Sequence, residues 1–303
     1  MSEPRVILIG GTGLVGRRLA RALVETGVPI VVLSRSGGGS ALPPGVEIRP
    51  WDALPALLGD ASAVVNLAGA GIGDRRWSPE RKRLLWQSRT TSTAGLVAAM
   101  AACPSRPPTL LNASAIGYYG DRPGVVCNEA SARGDGFLPE LCAAWEAEAD
   151  RARDFGVRVV KLRIGVVLAR DGGALPRMAL PVRLCAGTAI GSGRQVLSWI
   201  HIADLVDLAI AALRDPDFDA PVNATAPGAV AQADFMRALG RRLHRPILPV
   251  PGWLTAATAR LLAGELAGPL LLEGAEIRPA KALALGFRFR FPTLDSALED
   301  LYP

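Results

Sequence analysis

The chain has 303 residues, half of them hydrophobic and a fifth charged, with 33 glycines and 24 prolines. That mixture supplies a large core and excludes wholesale disorder, and at about 150 residues per domain it allows two domains or one elaborated α/β unit. The net charge is +6, from 34 Lys+Arg against 28 Asp+Glu. The lysines are few (Lys82, Lys161, Lys281) and the arginines dispersed, so no basic run interleaved with aromatics marks a nucleic-acid surface.

Cys103, Cys127, Cys142 and Cys185 are scattered, without a Cys-x-x-Cys or Cys/His cluster, so neither a structural metal site nor a disulfide scaffold is expected. No segment reaches the roughly 18 consecutive apolar residues that cross a bilayer. Met1-Ser2-Glu3-Pro4 leads straight into Val6-Ile7-Leu8-Ile9 with no basic n-region or small-residue cleavage site. A cytoplasmic protein, with no membrane or nucleic-acid partner, is the expectation; the sequence is silent on oligomeric state.

In chain order, residues 5–9 form a short apolar run closed by glycines, which suits a strand buried on both faces. Residues 14–23 carry Leu14, Val15, Leu19, Ala22 and Leu23 at helical spacing, and Gly27 stops that helix. Strands are predicted at 29–33, 46–48 and 63–67. Ser78-Pro79-Glu80 opens a long helix to about residue 102, because Ser caps, Pro suits the first helical position and Glu favours the positive end. A strand at 109–114, a helix at 139–153 stopped by Gly156, and a strand at 157–162 follow. This alternation predicts an α/β fold with a doubly wound parallel sheet and right-handed crossovers. Beyond about residue 167, Gly172-Gly173, Pro176, Pro181, Gly187, Gly191 and Gly193 interrupt the pattern. Helices at 203–213 and 231–243 flank residues 220–223. We therefore expect a nucleotide-binding domain over 1–168, its sheet completed from within 198–226, and a smaller, interleaved C-terminal substrate lobe in 169–303, laid over the carboxyl edge of the sheet.

Gly10-Gly11-Thr12-Gly13-Leu14-Val15-Gly16 joins the first strand to the first helix. Glycines at this spacing allow a tight turn and close backbone approach to a pyrophosphate, with a helix N-terminus aimed at the anion. The alternative, a merely flexible turn, does not explain the flanking strand and helix. After the second strand, where an NAD site places Asp or Glu against the ribose 2′-hydroxyl, stands Ser34-Arg35-Ser36. The Arg35 fork suits a 2′-phosphate, so NADP(H) is favoured over NAD(H), against the plainer reading of a surface arginine. Asp52, after the third strand, is placed to accept from an adenine amino group. Small residues at Leu67-Ala68-Gly69, after the fourth, let the backbone lie along an adenosine.

Several segments together resemble the extended or atypical short-chain dehydrogenase/reductases. They are the glycine turn, Asn66-Leu67-Ala68-Gly69, Ser114-Ala-Ile-Gly-Tyr118-Tyr119-Gly120 and Trp145-Glu146. Arg163-Ile-Gly-Val-Val167-Leu, Gly191-Ser-Gly-Arg-Gln195, Ser198-Trp-Ile-His-Ile202-x-Asp204, Asn223-Ala-Thr-Ala-Pro227 and the 279–287 segment narrow the likeness to the sugar-nucleotide-epimerase-like "epimerase family" proteins, over essentially the whole chain. The resemblance implies an NAD(P)-binding Rossmann fold holding NADP(H), with Ser34, Arg35, Leu67, Ala68, Arg89 and Val167 as cofactor contacts. Arg89 could equally be an ordinary exposed helix arginine.

The wider superfamily uses a tyrosine acid/base with a lysine four residues on, which lowers the tyrosine pKa from about 10. No Tyr-x-x-x-Lys exists here: the tyrosines are Tyr118, Tyr119 and Tyr302, and Trp145 or Glu146 stands where the lysine is expected. Ser114, which could polarise a carbonyl, and Tyr118 or Tyr119, which could donate a proton, remain as catalytic candidates, with pocket lining the alternative. Ser114 falls one place out of register with the superfamily's Ser-Ser-x-x-Tyr-Gly pattern. Glu146 reads as capping or pairing within its helix, His201 as a buried histidine at a helix start, Asp204 as a helix N-terminal carboxylate, and His244 as surface. Residues 191–195 form either a lid or a plain loop. Two functions follow: an NADP(H)-dependent oxidoreductase or epimerase acting on a small carbonyl or sugar-nucleotide substrate, or an inactive NADP(H)-binding sensor.

Overall fold

The computed structural model describes residues 5–34 and 42–303, so Arg35 lies outside the described residues. Seven strands build the central sheet: β1 (Arg5–Ile9), β2 (Ile30–Leu33), β3 (Glu47–Arg49), β4 (Ala61–Asn66), β5 (Thr109–Ala115), β6 (Arg158–Ile164) and β7 (Ala220–Ala224). Their spatial order is β7-β6-β5-β4-β1-β2-β3, and every neighbouring pair is parallel. This is the doubly wound sheet that the strand–helix alternation predicts. The order reverses between β1 and β4, which opens a crevice at their carboxyl ends, where ligands of such sheets bind.

The labelled helices are α1 (Leu14–Glu25), α2 (Pro79–Gln87), α3 (Thr90–Ala102), α4 (Phe137–Asp150), α5 (Ala174–Arg183), α6 (Ile202–Arg214), α7 (Gln232–Arg242), α8 (Gly252–Ala263) and α9 (Leu294–Leu301). Leu8, Val32, Leu111 and Leu162 pack on one face of the sheet with Leu19 and Leu23 of α1 and Leu205 and Leu208 of α6. Ile7, Val31, Val64 and Leu110 pack on the other with Leu96 and Met100 of α3 and Ala149 of α4. Burial on both faces explains why these strands read as continuous apolar runs.

The single helix predicted from Ser78 to about residue 102 is broken. Ser78 does cap it, accepting from the Arg81 amide at 3.2 Å, with Pro79 at the first position. The chain then leaves helical geometry at Arg89 (φ −110°, ψ −61°) before α3 begins. The turn after β4 competes for the polar groups at the break: the Ser88 hydroxyl accepts from the Ala70 amide at 3.1 Å, and the Arg89 guanidinium donates to the Ala70 carbonyl at 3.0 Å.

After β6, Val166–Ala169 pairs in parallel with Trp199–His201, and antiparallel with Gly172–Gly173, as a separate three-stranded sheet. Within 198–226 it is therefore β7 that extends the central sheet. Helices α5, α7 and α9 enclose a third core around Trp199, Phe235 and Leu298. His201 is 2% exposed and begins α6, its Nδ1 accepting from the Ala203 amide at 3.1 Å. Burial pushes its pKa down to about 4, against the opposing pull of the Asp300 carboxylate. Asp204, in the first turn of α6, also accepts from the Arg290 and Phe291 amides at 2.7 and 3.0 Å, tying the C-terminal segment to α6.

Candidate functional site: a dinucleotide cleft beside a buried ion pair

The glycine turn lies at the crevice. Gly10 has φ +78°, and a side-chain carbon there would stand 2.8 Å from the Leu67 carbonyl carbon; one at Gly16 would collide with the Gly10 carbonyl. The two loops therefore touch backbone to backbone, a contact open only to glycine. The Gly13 amide donates to the Gly10 carbonyl at 3.1 Å, closing the turn. Gly13 begins α1 with no side-chain cap and no acidic residue in the first turn, so the positive end of the helix is left for an anion. Thr12 is exposed; Leu14 and Val15 are half-buried.

The other predicted cofactor positions ring this turn. Ser34 is buried, its amide bonded to the Arg49 carbonyl at 2.9 Å. Asp52 is exposed in the short turn after β3. Leu67 packs on the same core as Val15 and Val167, while Ala68 packs on the opposite one, so this turn straddles the sheet edge. Asn66 holds it in place: its Oδ1 accepts from the Ala68 amide at 3.2 Å, while its Nδ2 donates to Thr93 Oγ1 at 3.0 Å and Asn112 Oδ1 at 2.7 Å. The Trp145 indole donates to the same Thr93 hydroxyl at 3.0 Å. Beside Gly69 lies Arg89, 7% exposed, and not the exposed helix arginine that was the alternative. Its guanidinium donates to Leu85, Ser88 and Ala70 oxygens and sits 5.2 Å from the Trp145 ring centre. Among the described residues no carboxylate pairs with it. Burial pulls its pKa below the usual arginine range. A buried cation without a counter-ion is costly, and an anion in the crevice would relieve it. On these grounds the residues fit a dinucleotide.

The candidate acid/base residues lie further along the same strand ends. Ser114, Arg163 and Asn223 are neighbours in register across β5, β6 and β7. The Arg163 guanidinium donates twice to Glu146 of α4, both at 2.8 Å, and to the Tyr119 hydroxyl at 2.9 Å. Ser114 donates to Glu146 Oε1 at 2.6 Å, and Tyr119 donates to Asn223 Oδ1 at 2.7 Å. All five residues are at most 5% exposed. Glu146 thus does not pair within its helix: a carboxylate beside a fixed arginine fork finds its strongest partner there. The Ser114 proton is directed to Glu146, and Tyr119 is pushed up to about 12 by burial. Tyr118 differs. It is half-buried, its ring lies 3.5 Å under the Arg163 guanidinium, and its hydroxyl is unbonded among the described residues without being a buried orphan. One turn before Glu146, the fully enclosed Cys142 thiol is pushed up to about 12 by burial and by that carboxylate.

In the sequence Arg163 and Asn223 stand only as motif letters and Thr93, on α3, does not stand out; the register that aligns Arg163 and Asn223 with Ser114 across β5, β6 and β7 is set by strand pairing, which local spacing does not show. No group of three or more His, Cys, Asp or Glu suited to a metal ion occurs among the described residues, and no helix there is long and apolar enough to cross a membrane.

The chain resembles known proteins throughout. Residues 6–224 match the family model described as NAD dependent epimerase/dehydratase, and 254–301 match a domain of unknown function, DUF1731. The epimerase family protein SDR39U1 homolog, chloroplastic, of Arabidopsis thaliana is 39% identical over 98% of this chain and 86% of its own length. An epimerase family protein of Mycobacterium bovis is 38% identical over 98% of this chain and 97% of its own. The crystal structure of human epimerase family protein SDR39U1 (isoform 2) with NADPH superimposes with a TM-score of 0.87 at 33% identity, covering 98% of this chain and 99% of that one. A Thermus thermophilus UDP-glucose 4-epimerase structure, at 18% identity and a TM-score of 0.77, covers 98% of this chain and 97% of that one and shares the fold. With most of its length matched by the family model and by relatives at this identity, the chain belongs to the NAD dependent epimerase/dehydratase family and has its Rossmann-like fold.

Proposed function

We propose that the chain binds NADP(H) and is an oxidoreductase or epimerase of atypical short-chain type acting on a small carbonyl compound. The observation that carries the reading is the juxtaposition of an uncapped helix end, a glycine turn with no room for a side chain at Gly10, Gly11 or Gly16, and a buried arginine without a counter-ion among the described residues. Gly10, Gly13 and the first amides of α1 would hold the diphosphate, with Arg89 as the counter-cation from the β4 side. Ser34 and Arg35 would recognise the adenosine ribose, and Leu67, Ala68 and Val167 would line the cleft. The structure with NADPH of the human relative supports this choice of dinucleotide. When bound, the cofactor supplies hydride chemistry at its nicotinamide ring.

Tyr118 would deliver the proton, since the Ser114 and Tyr119 hydroxyls are committed inside the buried network. Arg163 would hold the Tyr118 ring in place through its stacked guanidinium. That same commitment favours a second reading, an NADP(H) sensor without turnover. Steady-state NADPH oxidation against a panel of aldehydes and ketones separates the two. The enzymatic reading expects consumption with at least one carbonyl and a fall in kcat of about 10²-fold or more in Tyr118→Phe. No consumption with any carbonyl, despite measurable NADPH binding, leaves the sensor.

A further inference from the structure

Helix α8 turns its small residues inward and its large apolar ones outward. Its buried residues are Thr255 and Ala259, and Thr255 anchors the helix by accepting from the Gly191 amide at 2.9 Å. The outer half carries Trp253, Leu254, Ala257, Thr258, Leu261 and Leu262, all exposed. Residues four apart lie one above the other on a helix, so 253-257-261 and 254-258-262 form two adjacent rows. Trp253 is 74% exposed, Leu254 44%, Leu261 75% and Leu262 70%. Single exposed leucines are ordinary, but four large apolar side chains on one half of one helix mark a contact surface.

The pattern of those rows says what covers them. They read large at 253–254, small at 257–258 and large at 261–262, the same in either chain direction. Two copies laid antiparallel, with an axis between Ala257 and Thr258, set Trp253 opposite Leu262 and Leu254 opposite Leu261 of the second copy. The small pair at the crossing lets the two helices approach closely. The polar group at the crossing is already satisfied, since the Thr258 hydroxyl donates to the Leu254 carbonyl at 2.9 Å.

Charge and area agree with this occupant. Neither row holds a charged residue, so identical chains of net charge +6 meet there without like charges in the seam. An acidic partner or an anionic lipid surface would call for cations along the stripe, whereas α8 has one, Arg260, outside both rows. At these exposures the four large side chains bare on the order of 500 Å² per chain. A pair therefore buries on the order of 1,000 Å², the size at which specific interfaces begin.

We infer that α8 is the interface of a homodimer, packing antiparallel against α8 of a second copy about a two-fold axis between Ala257 and Thr258.

The test is sedimentation equilibrium of the full chain at concentrations up to about 100 μM, where a dimer is expected. Leu254→Lys and Leu261→Glu, both at exposed positions, should each weaken the dimer by about a hundredfold or more while leaving Tm unchanged. Mixed in equal amounts, the two variants should dimerise again, because the register sets position 254 of one chain against position 261 of the other. A wild-type chain that stays monomeric would overturn the inference, as would a dimer indifferent to both variants or variants that remain monomeric when mixed. Flotation of a monomeric chain with phosphatidylglycerol vesicles would assign the face to a lipid surface instead, and overturn it too. Where a charged variant loses its cooperative melt, Thr258→Cys decides in a chain whose more accessible cysteines carry Cys103→Ser and Cys185→Ser. A short bismaleimide should then link two chains through position 258, and failure to link them overturns the inference.

Discussion

Glu146 accepts three hydrogen bonds of 2.6–2.8 Å, two from Arg163 and one from Ser114, in a site closed to water. Burial opposes the Arg163 charge, but the Glu146 carboxylate more than offsets it and keeps the guanidinium protonated. Removing one member of such a pair strands the other, so Glu146→Ala should destabilise the fold by about 3–5 kcal/mol in urea titration, whereas Glu146→Gln, which still accepts, should cost less. A cost for Glu146→Ala below about 1 kcal/mol would show that the pair is not what holds β5 and β6 to α4. At Arg89 the prediction is reversed in kind. Among the described residues its charge has no carboxylate partner, so Arg89→Met should leave the unliganded fold as stable or more so, while weakening NADPH by about tenfold or more in calorimetry. These residue-level roles were the least legible in sequence. Arg163 and Glu146 lie 17 positions apart, and nothing in local spacing says that a strand residue and a helix residue will share a carboxylate.

The turn between β1 and α1 was legible because its requirements are local: a buried strand, glycines at fixed offsets, and an amphipathic helix. Gly16 carries the sharpest consequence, since a methyl group there meets the Gly10 carbonyl and Gly11 backbone with no flexible side chain to yield. Gly16→Ala should therefore separate α1 from the turn and lower dinucleotide affinity by at least tenfold, read by the NADPH-induced rise in Tm. An unchanged rise would mean that the turn does not carry the binding. The break between α2 and α3 was not legible. Helix propensity and the cap at Ser78 argue for continuity, and the interruption is imposed by Ala70, on a loop distant in sequence. A local pattern cannot contain that partner, yet the break is what turns Arg89 toward the cleft.

At the scale of the whole molecule, alternation of strands and helices was enough to predict the doubly wound sheet, but not which part of 198–226 would close it. Trp199–His201 and Ala220–Ala224 are both short and apolar, and only tertiary pairing assigns the second to the central sheet. The start of α6, capped by His201, is tied to the C-terminal segment through Asp204, which accepts from the Arg290 and Phe291 amides. His201 has its pKa pushed down from 6.5 to about 4 by burial. Between those values the unfolded chain takes up a proton that the folded chain refuses, so stability is full above about pH 6.5 and declines as pH falls toward 4, by roughly 1–3 kcal/mol. His201→Asn, which retains an acceptor at the start of the helix, should flatten this slope in urea titrations at pH 7 and pH 5. An identical slope in wild type and variant would assign the acid sensitivity elsewhere.

The central claim is that the crevice between β1 and β4 binds a phosphorylated dinucleotide through backbone amides and Arg89. Equilibrium calorimetry of the folded chain with NADPH and with NADH tests it most directly. The account predicts saturable uptake of NADPH at one site per chain, tighter than NADH and sharply reduced in Arg89→Met. Folded protein that takes up neither dinucleotide, or that binds both equally whether or not Arg89 is present, would contradict it.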